Sequence, residues 1–268
     1  MSGHSSSEVR TTGLPQVRVL ADPPAVGRAA AADIAAALRS VLDRQRQVRV
    51  VFAAAPSQEH TLRGLAAAPG IEWDRVTAFH MDEYLGLAPD HDASFGAWLR
   101  AVLFDAVPLG SVHLMRPGGD AARELERYVG LLSAAPIDVL CCGIGVNGHL
   151  AFNDPPADFA DPKLVKLVEL SVASRQQQVD DGCFARLADV PTTAMTMTIP
   201  ALLSAAEVFS TVPGVRKRAA VRDALLGPVR EDVPASALQL HPRCTVYLDA
   251  GSALPGDRDA ATESTKSD

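Results

Sequence analysis

Ile137-Asp138-Val139-Leu140-Cys141-Cys142-Gly143-Ile144-Gly145-Val146-Asn147-Gly148-His149-Leu150-Ala151-Phe152-Asn153 is an apolar run that ends in a glycine-rich turn carrying a histidine. The run reads as a buried strand and the turn as the loop at its carboxyl end. Glycine lets a chain take positive φ and lets a ligand approach the backbone closely. Histidine is the side chain whose ordinary titration lies nearest neutral pH. A second stretch follows the same logic. Strand-like residues 75–78 lead into Phe79-His80-Met81-Asp82-Glu83-Tyr84-Leu85-Gly86-Leu87, which sets two acids side by side. Two polar clusters at two strand ends predict one site.

Strand and helix alternate around these two points. Residues 17–20 read as a strand, and 22–42, rich in Ala with Leu, Arg and Ile, as a helix that starts at Asp22 before Pro23. Strands over 48–54, 76–79 and 112–115 alternate with helices over 57–67, 94–103 and 120–133, and then comes the strand before Gly143. Farther on lie a strand-like 164–170, an apolar 193–199, a helix near 200–205, a strand over 208–212, a helix over 215–226 and a strand over 245–248. The alternation predicts an α/β protein. Its sheet is mostly parallel with helices on both faces, and ligands sit beyond the carboxyl ends of the strands.

The 268 residues are 47% hydrophobic and 21% charged, ordinary for a globular protein and enough for a well-buried core. One domain is expected over 15–253, with mobile polar tails at 1–14 and 254–268. No stretch approaches the ~18 to 20 apolar residues of a membrane span, and the first residues lack the apolar core of a secretory signal, so the expected location is the cytoplasm. A net charge of −7 without a Lys/Arg run argues against a nucleic-acid surface. The four cysteines lack zinc-type or redox spacing and read as reduced and structural, with no metal site.

Four separated motifs, FHMDEYLGL (79–87), GIGVNGHLAFNDP (143–155), AMTMTIPALLSA (194–205) and ASALQLHPR (235–243), stand in this order. They resemble those of the glucosamine-6-phosphate deaminase/isomerase family, which is related to the 6-phosphogluconolactonases. The resemblance runs from about residue 50 to 248 and implies a Rossmann-like doubly wound fold. Phe152-Asn153 after the histidine favours the deaminase branch.

Opening an aldose amino sugar and moving its C2 proton needs one acid/base at the ring oxygen and another at carbon. By the resemblance, Asp82 is the proton-abstracting aspartate and His149 the ring-opening histidine. Glu83 joins the catalytic candidates as the adjacent acid, although on a continuing strand it points the other way. The alternative is that Asp82 and Glu83 cap or solvate a loop. Where the family has an aspartate and a glutamate that orient and polarise the histidine, this chain has Asn147 and Asp154. Asparagine carries no charge and stabilises an imidazolium less; Asp154 keeps the charge on a side chain one methylene shorter. Gly143, Gly145 and Gly148 are expected to shape the substrate loop.

At the phosphate end, the family's glycine/threonine-rich loop is replaced by Ala55-Pro56-Ser57-Gln58-Glu59-His60-Thr61. Ser57, its neighbour Gln58 and the N–H groups of the following helix suit a phosphate; a plain N-cap serine is the alternative. Lys217 aligns with a phosphate-binding lysine of the family, and Arg175 is read as its arginine partner, with a solvated surface charge as the alternative for either. Residues 155–160 lack the basic side chains that bind an allosteric effector in some members, so that regulation is not expected.

The expected function is therefore C2 proton abstraction on an amino-sugar 6-phosphate, with isomerisation and ammonia release. A dehydratase that expels the C3 hydroxyl of N-acetylglucosamine 6-phosphate is the alternative, motivated by the changed residues at 147 and 154. A non-catalytic sugar-phosphate sensor and a lactonase are lesser alternatives. No dinucleotide fingerprint is present and proton transfer needs no organic cofactor, so none is expected. The expected partner is a small-molecule sugar phosphate, with no nucleic acid and no membrane; a homo-oligomer stays open.

Overall fold

A computed structural model describes residues 14–254 apart from Pro89 and Pro117. The two tail expectations lie outside the described residues except at their inner ends, where Leu14 is exposed and Leu254, assigned to the C-terminal tail, is buried in the core.

Ten strands and seven helices follow in chain order: β1 Gln16–Leu20, α1 Pro23–Leu42, β2 Val48–Phe52, α2 Glu59–Ala66, β3 Val76–His80, β4 Asp82–Tyr84, α3 Phe95–Leu99, β5 Ser111–His113, α4 Ala121–Ser133, β6 Val139–Cys142, β7 Val165–Glu169, α5 Val172–Asp180, β8 Thr193–Met197, α6 Ile199–Leu203, β9 Glu207–Val212, α7 Arg218–Leu225 and β10 Cys244–Asp249. The helix starts have local causes. Asp22 accepts the Ala25 N–H at 2.7 Å ahead of a proline at the first helical position, and Asp120, Ser171 and Thr198 cap α4, α5 and α6 in the same way.

Seven strands form one wholly parallel sheet in the order β1-β10-β9-β6-β2-β3-β5. Because side chains alternate across a strand, Val51, Phe79, Leu140, Val208 and Val246 enter one core beneath α4, α6 and α7. Val50, Phe52, Ala78, Cys141, Phe209 and Tyr247 enter the other, beneath α1, α2 and α3. Every residue of central β2 is buried, as expected of a strand covered on both faces. The fold is doubly wound: from β2 the chain steps outward to β3 and β5, then returns through α4 to place β6 on the other side of β2. The loops leaving β2 and β6 therefore diverge, and a crevice opens at their carboxyl ends.

A second, three-stranded antiparallel sheet, β4-β8-β7, stands beyond the end of β3. The alternation of strands and helices did not predict this sheet. Of its strands, β7 falls in the strand-like 164–170 and β8 in the apolar 193–199, but the third, the Asp82–Tyr84 strand β4, exists only through its pairing with β8, Asp82 opposite Thr196. Helix α5 was also absent from the reading of the sequence.

Candidate active site

The crevice is lined by the ends of four parallel strands: Ala53 to Ala55, Ser57 and Gln58 after β2, Met81 and Asp82 after β3, Gly143 to Gly145 and His149 after β6, and Lys217 after β9. Gln177 and Gln178 of α5, with Phe95, Ala151 and Phe152, complete the wall. Asp82 and His149 thus share one cleft.

The order β3, Met81, β4 presents Asp82 to the cleft and turns Glu83 to the opposite side. Glu83 Oε1 accepts the N–H groups of Tyr84 at 2.9 Å and Phe95 at 3.2 Å, and Oε2 accepts the Ser94 hydroxyl at 2.7 Å and the Gly96 N–H at 2.9 Å. The Phe95 and Gly96 N–H groups are orphan donors at the start of α3. Glu83 is corrected from catalytic candidate to the residue that ties α3 to β4; it does not line the cleft. Burial, and then the nearby charge of Glu83, raise the Asp82 carboxyl well above the ordinary carboxylate range. Burial also raises Glu83, with its four hydrogen bonds opposing.

His149 sits in a loop closed on itself, with Gly145 N–H donating to the His149 carbonyl at 3.0 Å and Gly148 N–H to the Gly145 carbonyl at 3.0 Å. A Cβ at Gly145 would fall on the His149 imidazole, and one at Gly143 would lie 2.8 Å from Gln58 Nε2. Gly148, at φ +84°, supplies the left-handed turn and faces Val233 rather than the cleft, so it shapes the loop without touching a ligand.

Behind the imidazole lies a closed polar network. Nδ1 is 3.1 Å from the Ser174 hydroxyl and 3.5 Å from Asp154 Oδ1. The Ser174 hydroxyl donates to Asp154 Oδ1, which leaves its lone pairs for an N–H on Nδ1. His149 lines the cleft, and its Nε2 has no hydrogen-bond partner among the described residues. Asn147 Nδ2 donates to Asp154 Oδ1 at 3.0 Å, its Oδ1 accepts the His149 N–H at 3.2 Å, and the Ser171 N–H reaches Asp154 Oδ2 at 3.0 Å. Burial acts to raise the Asp154 carboxyl, but the bonds from His149, Ser174 and Asn147 outweigh it and hold the group well below the ordinary range. Asp154 is the ionised partner of His149, and Asn147 positions that carboxylate without lining the cleft.

At the far end Lys217 is half-buried, and among the described residues its ammonium has no hydrogen bond or ion pair. Burial lowers it to about 8, with the charge of Asp181 opposing and that of Arg216 assisting. Ser57 lines the cleft beside it. Gln58 also lines it, but its amide is occupied: Nε2 donates to the Thr211 carbonyl at 3.0 Å and to Ser57 Oγ at 3.2 Å, and Oε1 accepts the Thr211 hydroxyl at 2.6 Å. These bonds hold Ser57 against β9. Arg175 is corrected from its expected phosphate role. Its guanidinium donates to the carbonyls of Leu187 at 2.7 Å and Val190 at 3.0 Å, tying down the turn before β8, and it does not line the cleft.

The sequence reading missed three site residues, all on α5. Ser174 meets His149; Gln177 Oε1 accepts the Val146 N–H at 2.9 Å, bracing the loop. Gln178 lines the cleft at 7% exposure, and its amide has no hydrogen-bond partner among the described residues. A buried amide facing a cleft without a partner is a group left for a ligand or water. The signal was the spacing Ser171, Ser174, Gln177, Gln178, which puts four polar side chains on one helical face.

A family model described as glucosamine-6-phosphate isomerases/6-phosphogluconolactonase matches residues 21–247. Glucosamine-6-phosphate deaminase of Exiguobacterium sibiricum is 37% identical over 191 residues, 68% of this chain and 71% of its own. That of Bacillus cereus is 36% identical over 182 residues, 67% of each chain. Among solved structures, a monomeric glucosamine-6-phosphate deaminase superposes with a TM-score of 0.80 at 28% identity, over 88% of this chain and 98% of its own. The 6-phosphogluconolactonase of Thermotoga maritima gives 0.73 at 20% identity, over 88% and 99%, a likeness of fold alone.

Proposed function

The chain belongs to the glucosamine-6-phosphate isomerase/6-phosphogluconolactonase family, and from that premise we propose that it is an amino-sugar 6-phosphate deaminase/isomerase. One observation carries the reading: a desolvated carboxyl, Asp82, and an imidazole backed by an ionised carboxylate, His149, face the same cleft, with an unpaired ammonium, Lys217, at its other end.

The phosphate lies at Lys217 and Ser57, and Gln178 donates to the substrate between the two ends. His149 Nε2 exchanges a proton with the sugar's anomeric and ring oxygens, opening the ring to the aldehyde. Asp82 takes the C2 proton, giving the enolamine, and returns a proton to C1. The resulting C2 imine adds water and releases ammonia, leaving the ketose 6-phosphate. A base with a raised pKa is the stronger base, and burial keeps Asp82 free of competing water. An imidazolium formed during ring opening is stabilised by Asp154, so the neutral Asn147 does not leave it without a counter-charge. That removes the motive for C3 dehydration. The lactonase reading is not favoured, since the deaminase relatives are the more similar in sequence. The cytoplasm is the proposed compartment, because a phosphomonoester dianion does not cross a lipid bilayer unaided.

Incubation with glucosamine 6-phosphate should yield ammonia and fructose 6-phosphate in equal amounts. A vinylic proton signal from N-acetylglucosamine 6-phosphate, with no ammonia from the free amine, would overturn the proposal in favour of dehydration.

A further inference from the structure

A second cavity opens at the carboxyl end of β5, on the far side of Glu83 from the cleft. Its wall carries Arg100, Arg116, Arg127 and His113 and no carboxylate, in a chain whose net charge is −7. The volume is about 280 Å³, roomier than a single water requires. Arg127 is fixed in place by the Leu114 carbonyl at 2.7 Å and by Glu124 at 2.7 Å, which lies behind it outside the cavity. Arg100 is loosely paired with Asp105 at 3.3 Å, both half-exposed, a pairing that contributes little. The Arg116 side chain has no hydrogen bond or ion pair among the described residues. The His113 ring packs against Phe79 and neither of its nitrogens has a hydrogen-bond partner among the described residues. Burial lowers its titration, and the charges of Arg127 and Arg49 lower it further; Arg127 is paired with Glu124 and Arg100 with Asp105, so Arg116 brings the charge with no ion-pair partner among the described residues.

Planar guanidinium groups converging on one space recognise oxyanions through paired N–H donors. We propose that this cavity is a second anion site, separate from the catalytic cleft, that takes a phosphate group as inorganic phosphate or as a phosphomonoester. Three guanidiniums supply the donors, His113 supplies a ring N–H, and Ser94 and Gly96 form the wall shared with the Glu83 cap. The site does not depend on the proposed reaction.

The test follows the His113 imidazole by proton NMR in the full-length protein during titration with inorganic phosphate, against chloride at matched ionic strength, with glycerol 3-phosphate as the ester arm. Phosphate or the ester should shift the His113 signals and raise the pH at which the ring titrates, and the stronger of the two identifies the source. The double variant R100A/R116A should weaken that response about tenfold or more, as loss of charged hydrogen bonds does, while leaving kcat and KM of the amino-sugar reaction unchanged. A His113 signal indifferent to phosphate, equally responsive to chloride, or unaltered by R100A/R116A would overturn the site. K217A, which alters only the cleft, should leave the His113 response intact; its loss there would also overturn the proposal.

Discussion

The two ends of the cleft are built on opposite principles. At the histidine end each polar side chain already has its partners: Asp154 is held by Asn147, Ser171 and Ser174, and Ser174 also holds His149. At the proposed phosphate end the neutral groups are occupied by one another, Gln58 by Thr211 and Ser57, while Lys217, the one cation lining the cleft among the described residues, has no hydrogen bond or ion pair among them. The difference reflects what each end must do. A proton transfer needs the ring tautomer fixed before substrate arrives, because a misoriented imidazole costs rate. A charge meant for a dianion gains by staying unpaired until the dianion comes, and here it tolerates burial by lying near its own neutral form.

The strongest way to break this contrast is at the base itself. Asp82→Asn should lower kcat by about 10² to 10⁴, the usual worth of a positioned acid/base. It should also make the protein more stable. The Asp82 carboxyl is raised on folding, so its ionisation penalises the folded state increasingly as pH rises through the folded-state value; the variant's advantage in Tm should grow with pH and vanish in acid.

Asp154→Asn removes the charge but keeps the shape. It should lower kcat about 10- to 100-fold, the value of a charge-assisted hydrogen bond of about 1.5–3 kcal/mol. Here the sign reverses, because the Asp154 carboxyl is depressed on folding. Its stabilisation is present above the ordinary carboxylate range and lost as pH falls toward the folded value, so the Tm deficit of the variant should shrink in acid.

Lys217→Ala sharpens the other end. KM should rise about tenfold with kcat nearly unchanged, as expected when uniform binding is lost. In the wild type KM should climb as pH passes the Lys217 value of about 8, and the variant should lack that limb; the pH dependence of initial rates reads both.

Arg175→Ala should have the smallest kinetic effect, within about twofold in KM, with a stability loss of about 1–3 kcal/mol from the carbonyls it leaves unpaired. A tenfold rise in KM at unchanged Tm would restore it to the phosphate.

These contrasts also explain what the sequence disclosed. The parallel sheet was legible because its strands are apolar runs that alternate with helix-forming stretches, the first of them marked by its start at Asp22 before Pro23. The meeting of Asp82 and His149 in one cleft was legible because both stand at strand ends. Helix α5 was hidden for a physical reason. Its buried face is Ser174, Gln177 and Gln178, so the apolar period that betrays a core helix is missing. A polar face of that kind can be buried only where polar partners await it, and here they are His149, Asp154, the Val146 N–H and the cleft. That Glu83 and Arg175 lie outside the cleft was not legible, because residue type reveals an available hydrogen bond but not which backbone group is nearest. Strand β4 was missed since three residues carry no period; its partner β8 decides it.

The central claim is that Asp82 removes the C2 proton in a cleft where His149 opens the ring. The most direct measurement uses glucosamine 6-phosphate deuterated at C2 and follows loss of the label alongside ammonia release. Wild-type protein should move the deuterium from C2 as fast as it forms ammonia, and Asp82→Asn should leave the C2 label in place. Loss of the label at the wild-type rate in Asp82→Asn would contradict it.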